Sequence, residues 1–163
     1  NAIGTGTLAG LSYLEGRYPK TTRGDTYAVL KRSAAGPNRL QQTVRALEPG
    51  KLYSFKLLAA DLDDLQKGKS DRKVLGLRVD LGEVEVIPEK TFQYPFPSCY
   101  AHVQGPFNAK NPAYFNLYNI LFRARSRQTV LTLTDWASDK DPGGPVGQQI
   151  LCNFAELQPY YAD

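Results

Sequence analysis

The chain has 163 residues, of which 42% are hydrophobic and 22% charged, and a formal net charge of +4. That length and balance fit a single domain (1–163) able to bury a core without metals or disulfide staples, and they exclude a disordered chain. No apolar run reaches the roughly 18 residues that a membrane span needs. The basic residues are scattered among acids, with Arg123, Arg125 and Arg127 the nearest thing to a cluster, so neither nucleic acid nor membrane insertion is expected.

Residues 1–10 are small and glycine-rich and are expected to fray or to form an edge segment. DTYAVLK at 25–31 reads as a strand, followed by a turn at Ala35, Gly36, Pro37 and Asn38. The stretch 41–60, QQTVRALEPGKLYSFKLLAA, then reads as strand, tight turn, strand. Pro49 presets the turn and Gly50 accepts positive φ. Tyr53, Phe55, Leu57 and Ala59 fall on one face of the second strand, with Ser54 and Lys56 on the other. This hairpin signal argues for an antiparallel sheet with one buried face.

Residues 61–72 read as a charged loop with a short helical turn. Leu75, Leu77 and Val79 alternate inward. At Leu81-Gly82 the phase shifts so that Val84 and Val86 become the inward pair, which suggests a bulge or tight hairpin. Residues 88–113 carry five prolines and no sustained periodicity, so they read as a long loop of the kind that often carries function. Residues 114–124 and 129–136 are strands, with Ile120, Phe122, Ala124, Leu131 and Leu133 as core candidates. DKDPGGP at 139–145 is a turn, and 148–157 forms the closing strand. Eight or so strands with turns between them, and no convincing helix, predict an all-β chain, an antiparallel β-sandwich or jelly roll. Cys99 and Cys152 leave two readings open, one disulfide or two unpaired buried thiols.

VRALEPGKLYSFKLLAA resembles the Leu-x-Pro-Gly-x-x-Tyr-x-Phe core of galactose-binding-like β-sandwiches. The paired late strands Phe122-Arg123-Ala124 and Val130-Leu131-Thr132-Leu133 agree with that resemblance. So do the ending CNFAEL at 152–157 and Ser12-Tyr13-Leu14-Glu15 as a weak copy of the opening motif. The resemblance covers about residues 12–157. It implies a non-catalytic carbohydrate-binding or accessory module of a secreted, periplasmic or cell-surface protein. The implied partners are a polysaccharide or glycan and a neighbouring catalytic domain. No cofactor is required. The resemblance also points to a structural calcium ion at Glu15 and Asn153, where asparagine replaces the usual aspartate and the site loses a formal charge.

Sugar recognition needs aromatic rings for the C–H faces of a pyranose and fixed polar groups for its hydroxyls. The long loop supplies Phe92, Tyr94, Phe96, Tyr100 and Phe107, with Gln93, His102, Gln104 and Asn108 among them. Tyr114 and Tyr118 share one strand face with Asn116 between them, and Trp136 stands at a strand end. The carbohydrate-binding candidates are therefore Trp136, Tyr94, Tyr100, His102, Tyr114, Asn116 and Tyr118. Each ring has a plainer reading as packing over the sandwich, and periodicity leaves the orientation of the Tyr114–Tyr118 strand open.

No catalytic residue is assigned. His102 is the single histidine, so nucleophile–base chemistry with Cys99 lacks a supporting group, and a zinc site lacks ligands. Asp61, Asp63 and Asp64 read as a solvated loop rather than a glycosidase pair. The alternative enzyme is a jelly-roll polysaccharide lyase, for which His102, Gln104, Tyr118 and Arg123 supply the residue types. A purely structural domain packed on a neighbour is the other alternative.

Overall fold

In a computed structural model, residues 3–7, 26–98 and 106–161 are described. Among them ten strands occur: β1 (Ile3–Thr7), β2 (Thr26–Lys31), β3 (Arg39–Arg45), β4 (Leu52–Asp61), β5 (Arg78–Leu81), β6 (Val84–Val86), β7 (Phe92–Ser98), β8 (Ala113–Ala124), β9 (Gln128–Thr134) and β10 (Gln149–Pro159). One helix, α1 (Leu62–Lys67), follows β4. The larger sheet runs β1-β2-β10-β4-β8-β6, with β7 also on β8; the smaller runs β3-β9-β5. All pairings are antiparallel. The architecture is an all-β, two-sheet sandwich.

The main core lies between the sheets. Tyr53, Phe55, Leu57 and Ala59 of β4 meet Tyr118, Ile120 and Phe122 of β8 and Leu131 and Leu133 of β9. These inward sets follow the period-two alternation of each strand. A second cluster sits on the outer face of the larger sheet, where Leu58, Ala60, Phe115 and Leu151 are covered by Leu62 and Leu65 of α1 and by Phe107. β4 is therefore apolar on both faces at its LLAA end because both faces are buried there. Asp61 caps α1 by accepting from the Asp64 amide at 3.2 Å, and Gly68 ends it in the left-handed region at φ 70°.

The hairpin expected over 41–60 does not form. β3 pairs with β9 in the smaller sheet, whereas β4 pairs with β8 and β10 in the larger. The turn chemistry holds nonetheless: the Lys51 amide donates to the Glu48 carbonyl at 3.1 Å and Gly50 has φ 86°, as a type II turn requires. What redirects the chain is Ala46, at φ 62°. It turns buried Leu47 into the core, and the Leu47 amide donates to the Arg127 carbonyl at 3.0 Å. The chain thus crosses between layers instead of folding back.

The phase shift at Leu81-Gly82 has the same cause. β5 pairs with β9 and β6 with β8, so the chain changes sheets and the inward side reverses. Neither a bulge nor a hairpin is involved. Val84 packs on the core, but Val86 is exposed. A bulge does occur in β10, between Asn153 and Glu156, with Phe154 at φ 52°.

Residues 88–113 are not one long loop. Pro88–Lys90 forms a 3-10 turn, and Phe92–Ser98 is a strand along β8. Pro95 and Pro97 are two residues apart, so their missing N–H groups fall on one side of β7, away from β8. That placement is tolerated only on a strand with a free edge. Cys152 is a free, buried thiol on the inner face, and burial pushes its pKa up to about 12. Cys99 lies outside the described residues.

Candidate functional site

The register of β7 on β8 sets Phe92 opposite Asn119, Tyr94 opposite Leu117 and Phe96 opposite Phe115. These partners alternate with core residues Tyr118 and Ile120, so all three rings stand on the outer face of the larger sheet. Phe92 and Tyr94 have ring centroids 5.7 Å apart, tilted by 40°; Tyr94 and Phe96 are 6.1 Å apart, tilted by 58°. Phe96 leans on Phe115 at 6.3 Å and is half-buried, which anchors the row to the second cluster. Phe92 is 47% exposed and Tyr94 45%.

The row beside Phe92 is polar across the sheet. Asn119 pairs with Lys56 of β4, and Lys56 pairs with Glu156 of β10. The next row, toward the second cluster, is Tyr94, Leu117, Leu58 and Asn153. The outer face therefore grades from charged side chains through two exposed rings to fully buried Phe115. On the polar side, the Asn119 amide donates to the Lys90 carbonyl at 2.8 Å. Lys90 in turn reaches the Tyr160 hydroxyl at 2.7 Å and lies 4.9 Å from its ring centroid.

Among the described residues expected to bind sugar, only Tyr94 is presented as an open ring. Asn116, 2% exposed, accepts from the Leu75 amide at 3.0 Å and donates to the Lys73 carbonyl at 3.0 Å. Tyr118 is buried in the core; burial, ahead of the smaller influence of Cys152, raises its phenol pKa. The Gln93 amide joins the two, donating to Tyr118 Oη at 2.6 Å and to the Leu75 carbonyl at 3.0 Å. Asn116 and Tyr118 thus fasten the strandless run 73–77 to the larger sheet. Tyr114 is half-buried on the same inward side of β8, and its amide donates to Ser70 Oγ at 3.1 Å.

Trp136 is also half-buried, its indole N–H donating to the Ser33 carbonyl at 3.2 Å. It neighbours a polar knot at one end of the sandwich. There, fully buried Asp135 accepts from the Asn38 backbone amide at 2.8 Å and side-chain amide at 2.7 Å. Arg32, 1% exposed, donates to the carbonyls of Asp135 and Gly76 and to Gln148. Gln148 continues to Asp61, which with Asp64 holds Lys73 at 2.8 Å. Burial works to raise the Asp61 pKa, but hydrogen bonds from Lys73, Gln148 and the Asp64 amide outweigh it and hold the carboxyl below its ordinary value.

Tyr100 and His102 lie outside the described residues, as does Glu15. Asn153 sits at the bulge of β10, and among the described residues no three His, Cys, Asp or Glu side chains gather as a metal site. Tyr118 and Arg123, named for the lyase alternative, face opposite sides of β8; Arg123 turns outward, 3.6 Å from Glu85. An open cleft of about 630 Å³ lies at the sandwich edge beside Val74, Leu77, Val79, Phe92 and Gln93. Its polar side chains are already engaged: Gln93 and Tyr118 with the Leu75 carbonyl, Thr91 with the Ile87 carbonyl, and Arg78 with Asp80 and Asp139.

Phe92, named in the sequence among the rings of the long loop, completes the ring row, and Asn119, Lys56 and Glu156 beside it are residues that the sequence reading does not single out for the site. The usable signal was the alternation Phe92, Tyr94, Phe96 with prolines only at odd positions, the signature of an edge strand. The polar row is invisible without the register. Compared with protein-family models, curated proteins and solved structures, the chain matches none.

Proposed function

We propose that the chain is a non-catalytic carbohydrate-binding or accessory module of galactose-binding-like type, working in a secreted, periplasmic or cell-surface protein. The observation that carries this reading is the pair of exposed rings, Phe92 and Tyr94, with Asn119, Lys56 and Glu156 on their flank. Stacking on the rings supplies binding energy, and the flanking amide, ammonium and carboxylate orient the hydroxyls. An open site of this size gives affinities on the order of micromolar to millimolar, which tethering to a catalytic neighbour would raise.

The reading as a purely structural domain uses the same rings as a packing surface. The polar row favours the sugar, since a protein partner would have to cover Lys56 and Glu156 as well. Affinity electrophoresis against a panel of polysaccharides decides between them. Retardation by at least one polysaccharide, weakened in Tyr94→Ala and Phe92→Ala but kept in Trp136→Ala, supports the module. No retardation of the folded protein by any of them contradicts it.

A further inference from the structure

We propose that this face takes an internal run of a single, twisted glycan chain laid along β7 across both exposed rings, and not a chain end or a flat crystalline surface. The inference rests on the sugar-binding reading above and adds the form of the ligand.

Three observations lead there. Phe92 and Tyr94 are successive residues on one face of one strand, with centroids 5.7 Å apart. A single pyranose covers one ring, so the pair offers two stacking positions in line and rewards a ligand that continues from one to the next. The rings are tilted by 40° to each other and share no plane. A rigid flat face can rest on only one of them, whereas a free chain rotates about its glycosidic bonds to meet both.

The third observation is the one-sidedness of the polar groups. Asn119, Lys56 and Glu156 all lie toward β4 and β10. The opposite flank is the outer edge of β7, where Pro95 and Pro97 have no N–H to offer. A chain on the rings meets its hydrogen-bonding groups on one flank only, at the level of Phe92, with Leu117 beside Tyr94. Among the described residues, no side chain of this row closes around a chain terminus. Substituents pointing past β7 should therefore be tolerated.

The test is a size series. Oligosaccharides of increasing length, cut from whichever soluble polysaccharide retards the protein, are titrated calorimetrically, each with its reducing end free or reduced to the alditol. Dissociation constants should fall roughly tenfold from the monosaccharide to units long enough to span both rings. End reduction of the longer oligomers should leave them unchanged. Phe92→Ala and Tyr94→Ala, confirmed as folded by circular dichroism, should each remove the gain with length. Equal affinity for monosaccharide and oligomer, loss of binding on end reduction, or binding to an insoluble crystalline form alone would overturn the inference while leaving sugar binding intact. Absence of binding to every glycan would overturn both.

Discussion

The side chain of Asn116 accepts the backbone N–H of Leu75 at 3.0 Å, doing for the strandless run 73–77 what a neighbouring strand does elsewhere. Its amide returns a hydrogen bond to Lys73, so one buried side chain satisfies two backbone groups. Asn116→Ala leaves both unmet and should lower stability by about 2 kcal/mol. Asn116→Asp should also destabilise, because a carboxylate cannot donate to the Lys73 carbonyl. Urea unfolding reads this directly. If Asn116 instead served as a ligand contact, Ala would reduce glycan affinity with the urea midpoint unchanged.

The crossover from β3 to β4 makes opposite demands on two small residues. Ala46 holds φ 62°, which strains an L side chain by roughly 1–2 kcal/mol. Part of that returns in Ala46→Gly, less the entropy a glycine adds to the unfolded chain, for a net gain of about 0.5 kcal/mol. Gly50, at φ 86° with open space around it, loses about 1 kcal/mol on change to Ala from backbone strain alone. Thermal melts of the two variants should move in opposite directions. Movement in the same direction contradicts the assigned turn.

Asp61 and Lys73 tie helix α1 to the 73–77 run, and their effect depends on pH. The Asp61 pKa is held below its unfolded value, so the unfolded chain takes up the proton first as pH falls. Its contribution is present above about pH 4 and lost below it. Burial works to lower the Lys73 pKa, but its bonds to Asp61 and Asp64 prevail and raise it. That contribution is full below about pH 10 and lost as pH rises through the folded value. Asp61→Asn should therefore cost about 1–2 kcal/mol at pH 7 and much less at pH 3. An equal cost at both pH values would show that charge is not the cause.

Pro95 and Pro97 keep the outer edge of β7 from accepting another strand. The double change Pro95→Thr, Pro97→Thr restores two N–H donors beside exposed Phe92 and Tyr94. Light scattering should then show more association than the parent protein at each concentration. A variant that remains monomeric at the same concentrations would assign the prolines another role.

The sequence carried the inward sets of β4, β9 and the 120–124 end of β8 with fidelity, because period-two burial on a two-layer fold leaves a clean trace in residue type. It also carried the turn at Pro49-Gly50, which is a matter of local backbone preference. It did not carry the destination of the chain after that turn. A type II turn serves a hairpin or a crossover equally well, and the residue that decides, Ala46, has no side chain to announce a left-handed backbone. β7 was hidden for a related reason, since prolines on an edge look like loop prolines until the edge is known. The candidate site was half legible: Tyr94 stood out by its ring, but Asn116 and Tyr118 had the right chemistry in the wrong place. Which face of β8 is buried depends on what packs against it, and both faces are apolar.

The central claim is that the ring row on β7 binds sugar. Affinity electrophoresis of the parent chain and Tyr94→Ala against a polysaccharide that retards the parent tests it most directly. The claim predicts roughly tenfold weaker retardation for Tyr94→Ala, about 1.4 kcal/mol, with the urea midpoint unchanged. Full retention of binding in that variant would contradict it.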